Sequence, residues 1–198
     1  MRKTTAVALS LWLLAALTAR SASAQGPSAE EDAEPKTTAG PMVHGVVLGG
    51  ASTSSLFGVG SAAGHASVGI VVGRAGLVRA SFFADGDIGS TFGGLPMKDV
   101  TLSLPVLFVL GSVRLGLGPE LTYMTLSRAP TSTLAPIAGL GIGLTGLVSV
   151  DLLRSEQDDA LFVALRPQVS WLHDAETPLT LTHYGNLVTG ALLLGVRF

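Results

Sequence analysis

From Val113 to Met124 the side chains alternate without a slip. Val113, Leu115, Leu117, Pro119, Leu121 and Tyr123 share one parity, and Arg114, Gly116, Gly118, Glu120, Thr122 and Met124 share the other. Successive side chains of a strand point to opposite faces, so this segment reads as a strand with one apolar face and one polar or small face. A helix would scatter Arg114 and Glu120 among the apolar residues.

The same pattern recurs. Ala66, Val68, Ile70 and Val72 oppose His65, Ser67, Gly69 and Val71, and Val78, Ala80, Phe82 and Ala84 oppose Arg79, Ser81, Phe83 and Asp85. Ala138, Leu140, Ile142, Leu144 and Val148 oppose Gly139, Gly141, Gly143, Thr145 and Ser149. Leu161, Val163, Leu165, Val169 and Trp171 oppose Ala164, Arg166, Gln168 and Ser170, and Val188, Leu192, Leu194, Val196 and Phe198 oppose Thr189, Ala191 and Arg197. Val100 to Leu110 alternates more weakly, and a Gly-rich first strand spans Met42 to about Gly50. Every charge within these strands falls on the polar parity: Arg79, Asp85, Arg114, Glu120, Arg166 and Arg197. A Lys or Arg facing lipid at mid-bilayer costs about 2–4 kcal/mol, so this parity is what a lipid-exposed face demands.

Composition sharpens the reading. Hydrophobic residues make up 47% of the chain and charged residues 13%, against roughly 25% charged in ordinary soluble domains. The mean hydropathy is +0.53, yet past the N-terminal region no apolar run of about 20 residues offers a membrane helix. Strands that alternate between lipid and lumen reconcile the two. The absence of cysteine excludes disulfides, thiolate zinc sites, thiol catalysis and a lipid-modified cysteine. A net charge of −2 offers no footprint for nucleic acid.

Residues 1–24 read as a secretory signal peptide: basic Arg2 and Lys3, an apolar stretch from Ala6 to Leu17, and the small-residue site Ala22-Ser23-Ala24. Residues 25–41, with Glu30, Glu31, Asp32 and Glu34 among Pro27, Pro35 and Pro41, read as a disordered acidic leader. Residues 42–198 remain for one domain. Its connections alternate in length. Long ones are expected at Ala51–Gly64, Gly86–Lys98, Thr125–Leu134 and His173–Gly185, tight ones at Arg74–Gly76 and near Gly111, and one of middle length at Asp151–Asp158. Arg74, Lys98, Arg128, Arg154, Glu156, Asp158, Asp159, Asp174 and Glu176 are all assigned to connections. Long outer loops and short periplasmic turns are the rhythm of outer-membrane barrels. Tyr123 and Trp171 fall near the outer strand ends, and Phe108 and Phe198 near the periplasmic ends, as two interfacial girdles.

The final strand ends Ala191-Leu-Leu-Leu-Gly-Val-Arg-Phe198. With Leu194, Val196 and the terminal Phe198 at alternate positions, it resembles the C-terminal signature of bacterial outer-membrane barrel proteins. Together with the export signal and about eight strands, the chain resembles the small OmpA/OmpX-type barrels, without a peptidoglycan-binding domain. Leu193 stands where the fuller signature has glycine. The resemblance implies insertion by the barrel-assembly machinery and residence among outer-membrane lipids, and it carries over no catalytic residue.

The fold expected is therefore all-β: an antiparallel up-and-down transmembrane barrel of about eight strands behind a cleaved signal peptide. The rival is a soluble periplasmic barrel or sandwich. Gly141-Ile-Gly143-Leu-Thr-Gly146 is a literal GxGxxG but lacks the helix and acidic residue of a nucleotide site, and small residues facing a crowded interior explain it better. His65 and Ser67 share a face, but no flanking residue supplies the carboxylate that a triad needs. His173, Asp174, Glu176 and His183 cluster near the last loop without metal-motif spacing. No cofactor, metal or catalytic residue is expected.

The strongest candidate site is the lumen charge network of Arg79, Asp85, Arg114, Glu120 and Arg166. Counting from the strand starts puts Glu120 and Arg166 at one height as partners, with Arg79 and Arg114 lower and Asp85 higher. Such a network plugs an interior that eight strands leave just wide enough to fill with side chains, or gates a narrow pore. The function expected is a non-enzymatic envelope protein with a structural or surface-loop role, including an extracellular ligand at the long loops. A narrow pore and a lipid-modifying enzyme are the alternatives.

Overall fold

The computed structural model describes residues 42–56, 58–74, 76–127, 137–174 and 183–198. The signal peptide, the acidic leader and Glu176 lie outside them. The strands are β1 (Met42–Leu56), β2 (Val59–Gly73), β3 (Val78–Thr91), β4 (Pro96–Ser103), β5 (Val106–Leu110), β6 (Val113–Leu126), β7 (Ile137–Arg154), β8 (Ala160–Asp174) and β9 (His183–Arg197). Each pairs antiparallel with its neighbours, and β1 pairs with β9, closing the sheet into an eight-strand barrel.

The ninth segment is a matter of one proline. β4 and β5 both pair with β3 and with β6, and inside–outside parity runs through Leu104 and Pro105 without a slip. Pro105 has no N–H to give the ladder. The break stays tied to both neighbours, because Leu104 N donates to Pro119 O at 3.0 Å and Ser81 N to Pro105 O at 3.0 Å. One wall strand therefore covers Pro96–Leu110.

The barrel is inverted relative to a soluble domain. Val68, Ile70, Phe82, Val100, Leu117, Ile142, Leu165, Leu192 and Leu194 are exposed on the outside, while Arg79, Asp85, Arg114, Glu120, Arg166 and Arg197 are buried inside. The outward side chains are what a hydrocarbon solvent accepts, and the inward polar groups need one another. Phe108, Tyr123, Trp171 and Phe198 all face outward. At the seam, Gly45 and Phe198 exchange backbone hydrogen bonds of 2.7 and 3.0 Å. The Phe198 ring lies over Gly45, where a Cβ would stand 2.8 Å from it.

Two expectations about the connections are overturned. β1 and β2 run on to Leu56 and Val59, and β3 and β4 to Thr91 and Pro96, so both supposed long loops are short turns. Small residues misled the reading. Ser52, Ser54, Ser61 and Asp87 look like loop composition, but they are inward-facing positions of long strands. Five charges also move from connections into strands, among them Asp87 in β3 and Asp151 in β7. Lys98 faces outward near the start of β4, Arg154 ends β7, and Asp174 ends β8.

Candidate functional site

The interior is layered. The end that carries Met42 and Phe198 is termed the lower end. Its mouth is crossed by an ion cluster with Asp158 at the hub. Asp158 sits in the β7–β8 turn with a positive φ of 69°, a left-handed backbone state that glycine, asparagine and aspartate enter more readily than other residues. That twist tucks the turn into the barrel. Arg79 pairs with Asp158 Oδ2, Arg154 Nη2 lies 2.7 Å from Oδ1, Arg197 Nη2 3.2 Å and Arg114 Nη2 3.4 Å. Arg197 Nε also donates to the Asp158 carbonyl at 2.7 Å. Asp151 takes a second hydrogen bond from Arg114, and its Oδ2 lies 3.4 Å from Arg197. Burial pushes the Asp158 carboxyl up, but Arg79, Arg197 and Arg154 reverse this and hold it below the ordinary carboxylate range. Beside the cluster, a cleft of about 450 Å3 is lined by Met42, Arg79, Val109, Arg154, Gln157 and Asp158.

Above the ions lies an apolar layer: Val46, Leu48, Val71, Phe83, Leu107, Leu147, Phe162 and Leu193. These side chains cross the lumen, so the polar parity of the strands is not polar throughout. Gly69 makes room for Phe83, whose ring occupies the space a Cβ would take. Leu193, in the position of the signature glycine, belongs to this layer.

A polar chamber follows. Arg166, 1% exposed, spans it: Nη1 lies 2.6 Å from Asp85 Oδ1 and 3.3 Å from Ser67 Oγ, Nη2 donates to Ser103, and Nε donates to Thr145 at 3.3 Å. Its guanidinium carbon stands 4.8 Å from the Phe83 ring centre, a cation–π contact with the layer below. Glu120 accepts a hydrogen bond from Ser170, which is linked on to Thr122 at 3.0 Å and from there to Thr101 at 2.9 Å. His65 Nδ1 lies 2.9 Å from Asp87 Oδ2, and Ser52 donates to the other Asp87 oxygen. Asp99 completes the wall. A second apolar layer of Leu56, Met97, Met124, Leu172 and Leu187 closes the chamber from above.

The five network residues thus fall into two groups with an apolar layer between them. Arg79 and Arg114 belong to the lower cluster, Asp85, Glu120 and Arg166 to the chamber. Glu120 and Arg166 do interact electrostatically inside the chamber, as expected, but not through a direct hydrogen bond: the carboxylate that Arg166 hydrogen-bonds is Asp85, and Glu120 accepts from Ser170. Heights counted from strand starts ignore the stagger between tilted strands, and a guanidinium reaches across the lumen as easily as along the wall.

Asp158, Asp151, Asp87 and Asp99 were not singled out by the sequence reading, because three of them lay in stretches read as connections. Asp87 was legible by parity, being two residues beyond Asp85. The carboxylate that His65 lacked in the sequence reading is Asp87. Yet Ser52 and Ser67 hydrogen-bond Asp87 and Arg166 respectively, not His65 Nε2, so no nucleophile–base pair is assembled. Gly139, Gly141 and Gly143 line the inside of β7, where Leu172 and the β8 backbone pack against them. His173 and His183 are cross-strand partners, but among the described residues no three His, Cys, Asp or Glu converge on a point that could hold a metal ion.

The sequence matches no protein-family model and no curated protein. Among solved structures, it is similar to the crystal structure of Neisserial surface protein A (NspA), with a TM-score of 0.47 and 14% identity over 80% of this chain and 97% of that one. It is also similar to the crystal structure of a major outer membrane protein from Thermus thermophilus, with a TM-score of 0.45 and 13% identity over 77% of this chain and 99% of that one. Overlaps of this size carry no argument about function. The molecule's own closure, its apolar exterior and its layered polar interior make it an up-and-down β-barrel of the outer-membrane type.

Proposed function

We propose that this protein is a non-enzymatic integral protein of the bacterial outer membrane, exported by its signal peptide and closed to solute flow. Its role is structural or is carried by surface segments. The observation behind this reading is the pair of apolar layers that cross the lumen above and below the chamber. An ion that entered would meet two dehydrating barriers and two buried clusters of charged side chains. The narrow-pore alternative needs both layers to move. The lipid-modifying alternative needs its base to meet lipid, whereas the His65 side chain is fully buried between the layers.

Outer-membrane lipids are the partner of the apolar belt, and the barrel-assembly machinery is the proposed reader of Leu194, Val196 and Phe198. With the first two upper connections short, any extracellular ligand falls to the β6–β7 and β8–β9 connections. Three measurements test the proposal. Migration of the outer-membrane fraction on gels with and without boiling should shift; a soluble protein that does not shift defeats the membrane reading. Reconstituted protein should leave a planar bilayer non-conducting; steady single-channel steps would restore the pore. Deleting either of those two upper connections should abolish any surface binding without loss of the folded band.

A further inference from the structure

Asp87 and Asp99 stand directly opposite each other in the β3–β4 ladder, both facing inward and both buried. Directly opposed residues have Cβ atoms about 4.5–5.5 Å apart, and like charges there work against the pairing. Bulk water does not screen them, because apolar layers lie above and below. Two ionised carboxylates at that separation in such a place are not a stable arrangement.

The rest of the chamber does not supply the missing charge. Around the wall, β1 brings Ser52, β2 His65, β3 Asp85 with Asp87, β4 Asp99, β6 Glu120 and β8 Arg166, while β7 and β9 bring Thr145 and Thr189. Four carboxyl groups therefore face one guanidinium and one imidazole. Even with His65 charged, two carboxylates would have no countercharge.

Among the described residues, Asp85 Oδ2 and Glu120 Oε2 are buried without a hydrogen-bond partner, and so are the nitrogens His65 Nε2 and Gln168 Nε2. A carboxylate only accepts hydrogen bonds, whereas a protonated carboxyl also donates one. A bound proton between the opposed Asp87 and Asp99 supplies a donor where two acceptors face each other, and it removes one of the two unmatched carboxylates.

We propose that Asp87 and Asp99 form a buried acid pair that carries one shared proton, which makes the sealed chamber a proton-binding site. Asp87 already accepts from His65 and Ser52, so it is the better-supported anion. The proton belongs to Asp99 and is donated across the ladder. The unfolded chain does not keep this proton at neutral pH, so the barrel takes it up on folding.

The test is infrared spectroscopy and chemical unfolding of protein refolded into phosphocholine vesicles at a series of pH values. The wild type should show a protonated-carboxyl C=O band at pH 7, and Asp99→Asn should weaken it while keeping a neutral donor in place. The folding constant of the wild type should fall about tenfold per pH unit while only the folded state holds the proton, and Asp99→Asn should remove that slope. Asp85→Asn is the control: it should weaken the barrel at every pH yet keep the band. A wild type without the band at pH 7 overturns the proposal, and so does an Asp99→Asn variant with an unchanged band or slope. Asp87→Asn probes the same pair from the other strand if Asp99→Asn does not fold.

Discussion

Arg166 and Asp85 meet 2.6 Å apart in the middle of the barrel, on opposite sides of the lumen. They come from β8 and β3, strands that do not touch in the wall. The pair is therefore a strut across the interior. Arg166→Met leaves Asp85 buried without its cation, and breaking a buried pair from one side costs about 3–5 kcal/mol. The double variant Arg166→Met with Asp85→Leu should recover much of that loss, since no charge is then left alone. Guanidinium unfolding of vesicle-refolded protein measures both, and an unchanged midpoint for Arg166→Met would remove the strut from the account of stability.

Asp158 makes the lower mouth sensitive to acid. Its folded carboxyl is held below the ordinary carboxylate range despite burial, because the arginines around it favour the anion. A group whose folded value is depressed contributes stability above the unfolded value of about 4, and loses it as the pH falls through the folded value. The wild type should therefore weaken below about pH 4. Asp158→Asn should be less stable at neutral pH and show a shallower acid limb. An acid limb of equal steepness in the variant would place the titration elsewhere.

Gly69 is the partner that lets Phe83 cross the lumen. A methyl group there meets the Phe83 ring and the Phe82 carbonyl at once. Gly69→Ala should cost about 1–3 kcal/mol by overpacking. Gly58, in a turn with open space around the missing Cβ, has no such neighbour. Thermal unfolding in detergent should separate an interior collision at Gly69 from the backbone strain expected at Gly58.

Phe198 has two uses that experiment separates. Its ring covers Gly45, and its backbone closes the seam. Phe198→Ala keeps the backbone bonds and removes the ring. If the ring is the mark that assembly reads, the variant should reach the outer membrane in smaller amounts in cells yet refold into vesicles nearly as well as the wild type. Equal losses in both assays would assign the ring to packing alone.

The wall of this protein was legible in its sequence and the filling was not. Parity alone sorted Arg79, Arg114, Glu120 and Arg166 to the inside and Leu117, Ile142 and Leu194 to the outside, because a strand face is decided by a count of two. Strand length was harder. Ser52, Ser54 and Ser61 face the interior, and short polar side chains suit a crowded lumen and an exposed loop equally. Pairing across the barrel was harder still. Arg166 and Asp85 are 81 residues apart, and their meeting depends on stagger and side-chain reach. Asp158 was hidden for a different reason: a turn that folds back into the mouth looks, in one dimension, like any polar turn.

The seam between β1 and β9 has a kinetic consequence. Every other neighbouring pair in the wall is joined by its own connection, but these two lie at opposite ends of the folded sequence. Until they meet, the sheet has two bare edges, each a template for pairing with another chain. The slowest contact to form is thus also the one that ends the hazard, because bringing together such distant segments is entropically the most demanding step. A nascent barrel of this kind has to be escorted until it is a ring.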